Sequence, residues 1–185
     1  MLTTVIRKFD QPAYPFDWNI TNQSFVIKCV ESGGSHFFEF AERHMVDGFL
    51  LSPHNDAFLF HEYKHDRPLW IENGDIKETY LRRLHRLLEA YYSDSELLLC
   101  RHAIDANPYN DYAKSSWSRL PFRILPDNVC RWSKFISRRP KTRLIIFTND
   151  PTMVSNDRQI YIRYIDDIRG DSWNDAAHAM ISSML

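Results

Sequence analysis

The sequence predicts an α/β fold, a Rossmann-like and partly parallel sheet flanked by helices, and three observations carry that expectation. From residue 77 onward, segments of helical periodicity alternate with short apolar runs in the order helix, strand, helix, strand, strand, helix. Parallel strands need crossover connections, and helices are the usual ones. The runs Glu96-Leu97-Leu98-Leu99-Cys100 and Arg143-Leu144-Ile145-Ile146-Phe147-Thr148 are continuously apolar, the pattern of strands covered on both faces. Finally, 185 residues with 44% hydrophobic and 14% aromatic content suffice for one domain with its own core. No repeat, low-complexity tract or linker interrupts the chain, so a single α/β domain over residues 1–185 is expected.

Residues 3–9 read as a short amphipathic helix that begins abruptly at the initiator and is broken by Asp10-Gln11-Pro12. Pro15-Phe16-Asp17-Trp18 follows. Large rings leave water only when covered, so Tyr14, Phe16 and Trp18 place this stretch along the core, where Asp17 must be hydrogen-bonded or paired. Thr21 or Asn22 is suited to cap a helix over 25–30 that Gly33-Gly34 ends. Ser35 opens a second one, with Phe37, Phe40, Ala41 and His44 on one face. Apolar runs at 49–51, 57–60 and 69–71 read as brief strands, with a hairpin around 52–56.

Residues 77–92 carry the most regular helical pattern. Tyr80, Leu84, Leu87, Leu88 and Tyr91 fall at i, i+4, i+7, i+8 and i+11, one continuous stripe, and Glu78 and Arg82 have the favourable i, i+4 spacing. Ser93-Asp94 ends the helix before the first apolar strand, and 106–125, rich in Asn, Pro, Tyr and Ser, is a loop. Asp127 is placed to cap a helix over 128–137 in which Val129, Trp132 and Ile136 share a face, and Pro140 stops it. After the strand at 143–148, residues 158–165 alternate Ile160, Ile162 and Tyr164 against Tyr161, Arg163 and Ile165. Ser172 and Asp175 then open a last helix with Trp173, Ala176, Ala177, Met180 and Ile181 as its stripe.

Composition narrows the function. Twenty-three Lys and Arg against 24 Asp and Glu give a net charge of −1, so no bulk attraction to nucleic acid or anionic membrane is expected. No apolar run reaches the ~18 residues that span a bilayer, and residues 1–9 are too short and mixed for a signal peptide. Three cysteines without CxxC spacing argue against a disulfide framework and for a reducing, cytoplasmic setting. Five glycines, with no Gly-rich phosphate loop, Rossmann fingerprint or GxSxG, give no reason to expect a cofactor.

Side chains able to do chemistry concentrate in three places. Between residues 54 and 66 stand His54, Asp56, His61, Glu62, His65 and Asp66. A metal site is one reading of these, without HExxH to support it, and a polar surface hairpin is the other. His54, with Asp56 beside it to fix its tautomer, is the best general acid–base candidate, against a turn histidine with local hydrogen bonds. Arg82, Arg83 and Arg86 flank the apolar stripe of the long helix and can clamp a phosphate or carboxylate, or be a solvated face partnered by Glu78 and Glu89. Arg101-His102 follows one apolar strand and Thr148-Asn149-Asp150 the next, and sites of open α/β sheets gather at the carboxyl ends of strands. Cys29 and Cys130 fall in helical patterns and Cys100 ends a strand, which makes all three poor nucleophiles.

Taken together and in order, Tyr14-Pro15-Phe16-Asp17-Trp18-Asn19, Pro53-His54-Asn55-Asp56, the helix Tyr80-Leu81-Arg82-Arg83-Leu84-His85-Arg86-Leu87 and Leu97-Leu98-Leu99-Cys100-Arg101 resemble the bacterial family of papain-like cysteine peptidases. The resemblance covers roughly residues 3–165, and Pro-Phe-Asp-Trp is its specific part. It implies that His54 serves as base or acid and that Asp17 orients it or shapes the pocket. In the family, the nucleophilic cysteine lies in a Gly-x-Asn-Cys-like segment ahead of the helix leading into Pro-Phe-Asp-Trp. The matching position falls before Met1, so the chain as written is expected to lack that thiolate, as an N-terminally truncated or non-catalytic relative. Two other functions fit the residues: an accessory domain whose arginines and histidines recognise an anionic, sugar-phosphate-like ligand, and a metal-dependent hydrolase using residues 54–66.

Overall fold

The computed structural model of the chain describes residues 15–16, 19–39, 45–46, 49–51, 57–59, 74–103, 125–165, 179 and 181–183. The chain divides into two compact units, one made of Tyr14–Ser93 with Tyr109–Leu125, the other of Met1–Ala13, Asp94–Pro108 and Pro126–Leu185. The helices and the three-stranded parallel sheet described here place the protein in the α/β class.

The first of these units opens with β1 (Asn19–Thr21), a strand the sequence does not announce, because three residues beginning with Asn carry no alternating pattern. It exists through its partner. β1 pairs antiparallel with β4 (Ala57–Leu59), Thr21 against Ala57 and Asn19 against Leu59. The expected hairpin is present: β3 (Phe49–Leu51) runs antiparallel to β4, with residues 52–56 connecting them. β2 (Met45–Val46) completes a four-stranded sheet of order β1-β4-β3-β2.

Between β1 and β2 lie α1 (Gln23–Glu31) and α2 (Ser35–Glu39). Asn22 takes the N-cap position of α1, yet its side chain is spent elsewhere, accepting a hydrogen bond from the Leu125 amide at 2.8 Å. The helix ends as Gly33-Gly34 predicts. Gly33 (φ 61°) donates to the Val30 carbonyl and Gly34 (φ 92°) to the Cys29 carbonyl, closing the last turn with the two bonds of a Schellman motif. The Ser32 hydroxyl then bridges the helices, donating to the Cys29 carbonyl and accepting from the His36 amide.

The long helix α3 (Gly74–Tyr92) starts three residues before the expected residue 77. The stripe is buried as expected, with Tyr80, Leu84, Leu87 and Tyr91 all covered. Tyr80 and Leu84 join Phe25, Cys29, Phe37 and Ala57 in one core, against which Phe16, Phe38 and Leu88 pack. The rings interlock: Phe37 stacks on Tyr80 at 5.0 Å between centroids, and Phe16 meets Phe25 edge-on at 6.2 Å. Phe16 of the Pro-Phe-Asp-Trp stretch therefore does lie along the core, while Asp17 and Trp18 fall outside the described residues.

The other unit is built on β5 (Leu97–Ala103), β6 (Thr142–Thr148) and β7 (Ile160–Tyr164), all parallel and in the order β5-β6-β7. β6 is the buried centre the sequence predicts, with Leu144, Ile145, Ile146 and Phe147 covered. β5 differs from expectation in two ways. It is half-buried rather than buried, because it pairs on only one side with a described strand, and it runs three residues beyond Cys100 to include Arg101 and His102. The helix α4 (Val129–Ile136) buries Trp132, Phe135 and Ile136. Its N-cap is Asn128, whose side chain accepts from the Arg131 amide at 3.0 Å, and not the predicted Asp127.

No helix joins β6 to β7. Residues 149–159 cross over as a loop pinned by its own side chains: Asp150 Oδ1 accepts from the Thr152 amide and hydroxyl, and Asp157 Oδ1 from the Gln159 amide. The Gln159 side-chain amide donates to the carbonyls of Arg139 and Thr142, fastening the loop to the turn before β6. Residues 181–183 are helical and Ile181 is buried, in keeping with the final stripe. The expected elements over 3–9, 69–71 and most of 172–181 lie outside the described residues.

Candidate functional site

Successive helical residues turn by about 100°, so Arg83, Arg86 and Arg82 fall within one arc of roughly 100° that runs from the border of the apolar stripe of α3 at Arg83 to its opposite side at Arg82. Arg82 is exposed, and Arg83 and Arg86 are half-buried. The Arg83 guanidinium sits over the Tyr80 ring, 5.4 Å from its centroid, and the same ring stacks on Phe37. Aromatic support of this kind holds a guanidinium in place. The acids proposed to neutralise the cluster do not do so. Glu89 pairs with His85 at 3.3 Å, both well exposed, and among the described residues Arg82 lies within ion-pair distance of no acid. Such an exposed pair contributes little.

Arg101 and His102 do not form one site. Neighbouring residues of a strand point to opposite faces of the sheet, and both are inside β5 rather than beyond its end, with Arg101 in register with Ile146 and His102 with Phe147. Arg101 is committed. Its Nε donates to Asp127 Oδ2 at 2.8 Å and its Nη2 to Asp127 Oδ1 at 3.0 Å, a bidentate pair, and Trp132 Nε1 donates to the same Oδ2 at 2.8 Å. The Asp127 side chain is 1% exposed and that of Arg101 16%. A carboxylate this deep needs such partners, and three donors meet the need. The sequence points to Asp127 only as a helix cap. The run Asp127-Asn128 holds two residues of capping type, of which one can cap, and that surplus is the only local sign that the other is used differently.

His102 lies on the other face. Its burial, with the Arg101 charge adjoining, lowers its pKa from 6.5 to about 3. Between those values the unfolded chain binds a proton that the folded chain does not, so stability is lost as pH falls through this window, by up to about 1.4 kcal/mol per pH unit. Acidification from pH 7 to pH 5 is expected to cost about 2 kcal/mol through this residue. Urea titrations of wild type and His102→Gln at both pH values check it, since the variant should lack that share of the loss and an equal loss in both would exclude it.

The carboxyl ends of β5 and β6 do lie side by side, Ala103 against Thr148. At that edge the Thr148 hydroxyl accepts from the Asp150 amide, and hydrogen bonds from Thr152 hold the Asp150 carboxyl below the usual carboxylate range. The three cysteines form no disulfide. Cys29 is fully buried in the aromatic core, Cys100 is half-buried within β5, and Cys130 is exposed on α4. His54, Asp17 and Asp56 fall outside the described residues, as does the 54–66 segment weighed as a metal site; among the described residues no cluster of histidines, cysteines and acids could hold a metal. Nor, among them, is any helix long and apolar enough to cross a membrane. No protein-family model matches the chain, and comparisons with curated proteins and with solved structures find no match.

Proposed function

We propose that the chain is an α/β protein related to the papain-like cysteine peptidase family and that its described part binds an anionic, sugar-phosphate-like ligand. The observation that carries the binding reading is the arginine arc of α3, in which Arg83 is braced on Tyr80 while Arg82 is exposed and engaged with no acid among the described residues. Guanidinium forks match phosphate and carboxylate oxygens, and a supported fork loses less freedom on binding than a mobile one. The relation to the family rests on the order of its motifs, and the core position of Phe16 supports it. A peptidase step is not part of this reading. A fully covered thiol such as Cys29 is inert, and neither of the others is an evident nucleophile. A Rossmann-like sheet and a reducing, cytoplasmic setting belong to the same proposal, supported by the parallel strands β5, β6 and β7 and by three unbridged thiols.

The test is thermal. A ligand present at tenfold its Kd adds about 1.4 kcal/mol to stability, which for a chain of this size raises Tm by roughly 3–5 °C. Glucose 6-phosphate, ribose 5-phosphate and inorganic phosphate are the probes. At least one is expected to raise Tm in wild type, and the double variant Arg82→Ala/Arg86→Ala should lose that rise. No shift with any probe, or an undiminished shift in the variant, would overturn the proposal.

A further inference from the structure

The net charge of −1 averages over an uneven surface. From Arg131 to Arg158 the chain carries seven lysines and arginines against two acids, Asp150 and Asp157. Asp150 lies beyond the carboxyl end of β6, and Asp157 is taken up by the Ser133 hydroxyl and the Gln159 amide. The fold gathers the cations at the opposite, amino-terminal end of the sheet. Gln159 is the organising residue: its side-chain amide donates to the Arg139 carbonyl at 2.9 Å and the Thr142 carbonyl at 2.6 Å, and its own carbonyl accepts from the Leu144 amide at 2.8 Å. Arg143, at the start of β6 just before Leu144, and Arg158, in the turn just before Gln159, are thereby brought to the same end of the sheet. Both are exposed, as are Lys134 and Arg138 at the end of α4. Lys141 brings in the start of β5, its Nζ donating to the Asp94 carbonyl and carboxylate and its carbonyl accepting from the Leu97 amide. Glu96 is exposed beside it, so two acids, Asp94 and Glu96, stand against Lys134, Arg138, Lys141, Arg143 and Arg158.

Helix polarity accounts for part of this, since cations are favoured at the carboxyl end of α4. It does not account for Arg143 and Arg158, which lie at the start of β6 and in the turn before β7. A surface that keeps like charges together at a cost in self-repulsion suits a polyanion. We propose that the amino-terminal edge of the β5-β6-β7 sheet docks on the phosphate backbone of a nucleic acid. Arginine predominates at this edge, and its planar fork fits phosphate oxygens. Tyr161 follows in β7 on the face that Arg143 shares, since Ile145 pairs with Tyr161, and its ring is 36% exposed, which offers a base a stacking surface. Among the described residues, the edge has no exposed large aliphatic side chain that would enter a bilayer, the exposed Val154 lying in the crossover loop.

Fluorescence anisotropy of the full chain with a fluorescein-labelled, mixed-sequence 20-nucleotide RNA, and with its DNA counterpart, tests this. Wild type is expected to bind at 50 mM salt and to weaken about tenfold or more by 200 mM. Arg143→Ala/Arg158→Ala should bind about tenfold more weakly, with the log–log salt slope reduced by about 1.4. Arg158→Gln alone, in the loop, should show roughly a threefold loss. Lys28→Ala/Lys77→Ala, removing the same charge from exposed positions elsewhere, should change binding less than about twofold. The proposal is overturned if neither oligonucleotide binds, if the Arg143/Arg158 variant binds like wild type, if the control loses as much, or if the chain binds only phosphatidylserine vesicles.

Discussion

Asp127→Ala is expected to lower the unfolding free energy by about 3–5 kcal/mol, the range found when one partner of a buried ion pair is removed. The reason is what stays behind. The Arg101 side chain is only 16% exposed, and its guanidinium fork is spent on this bidentate carboxylate. Trp132, 2% exposed, loses the acceptor of its indole N–H at the same time. Together these leave a cation and a donor facing a cavity, between the middle of β5 and the first turns of α4. Replacing both charges, as Arg101→Met/Asp127→Leu, should cost less than Asp127→Ala alone, because no unpaired ion remains. Urea denaturation of the three proteins decides: a loss below about 1 kcal/mol for Asp127→Ala would mean that the pair is solvated in solution.

Gly34→Ala is expected to cost about 2–4 kcal/mol, from two additive sources. At φ 92° a side chain is strained wherever it points. The added Cβ would also collide with Leu84 Cδ2 and lie 3.0 Å from its Cγ, and Leu84 is itself 3% exposed and held in the core, so it has nowhere to retreat. Gly33→Ala provides the comparison within the same turn. Its φ is 61°, and nothing lies within 4 Å of the new Cβ, so only the backbone term of about 1 kcal/mol should appear. Melting curves for the two variants should separate by several degrees. Equal losses would show that the contact with Leu84 relaxes.

The parts of the fold that were legible in the sequence are those where one short stretch contains its own reason. The α3 stripe from Tyr80 to Tyr91 and the apolar run of β6 can be read without knowing their neighbours, and so can the Gly33-Gly34 stop. What could not be read depends on distant partners. β1 is a strand because β4 lies beside it. β5 continues through Arg101 because a carboxylate 26 residues away receives the guanidinium, so a polar pair that reads as a strand exit is strand. Asp127 and Asn128 are both capping residues, and the same distant arginine decides which of them caps. The candidate site was legible to the same degree. The arginine arc of α3 follows from helical spacing alone, whereas the separation of Arg101 from His102 follows from strand pleat once the strand's true end is known. The basic edge of the second sheet was hidden by summing charge over the whole chain, which cannot report where charge is placed.

The helix-free crossover between β6 and β7 sets the order in which the parallel sheet is cheapest to assemble. Leu144 and Ile160, the first pair of that ladder, are 16 residues apart in the chain, whereas Leu97 and Thr142, which begin the β5 ladder, are 45 apart. Closing the shorter loop forfeits less chain entropy, by about 1 kcal/mol on a logarithmic length dependence. The turns at Asp150 and Asp157 reduce it further by restricting the loop before the strands meet. A parallel pair is ordinarily a late and slow event in folding because its crossover is long. Here the C-terminal pair has the contact range of a large hairpin, so it can serve as the template on which β5, the remote strand, is added.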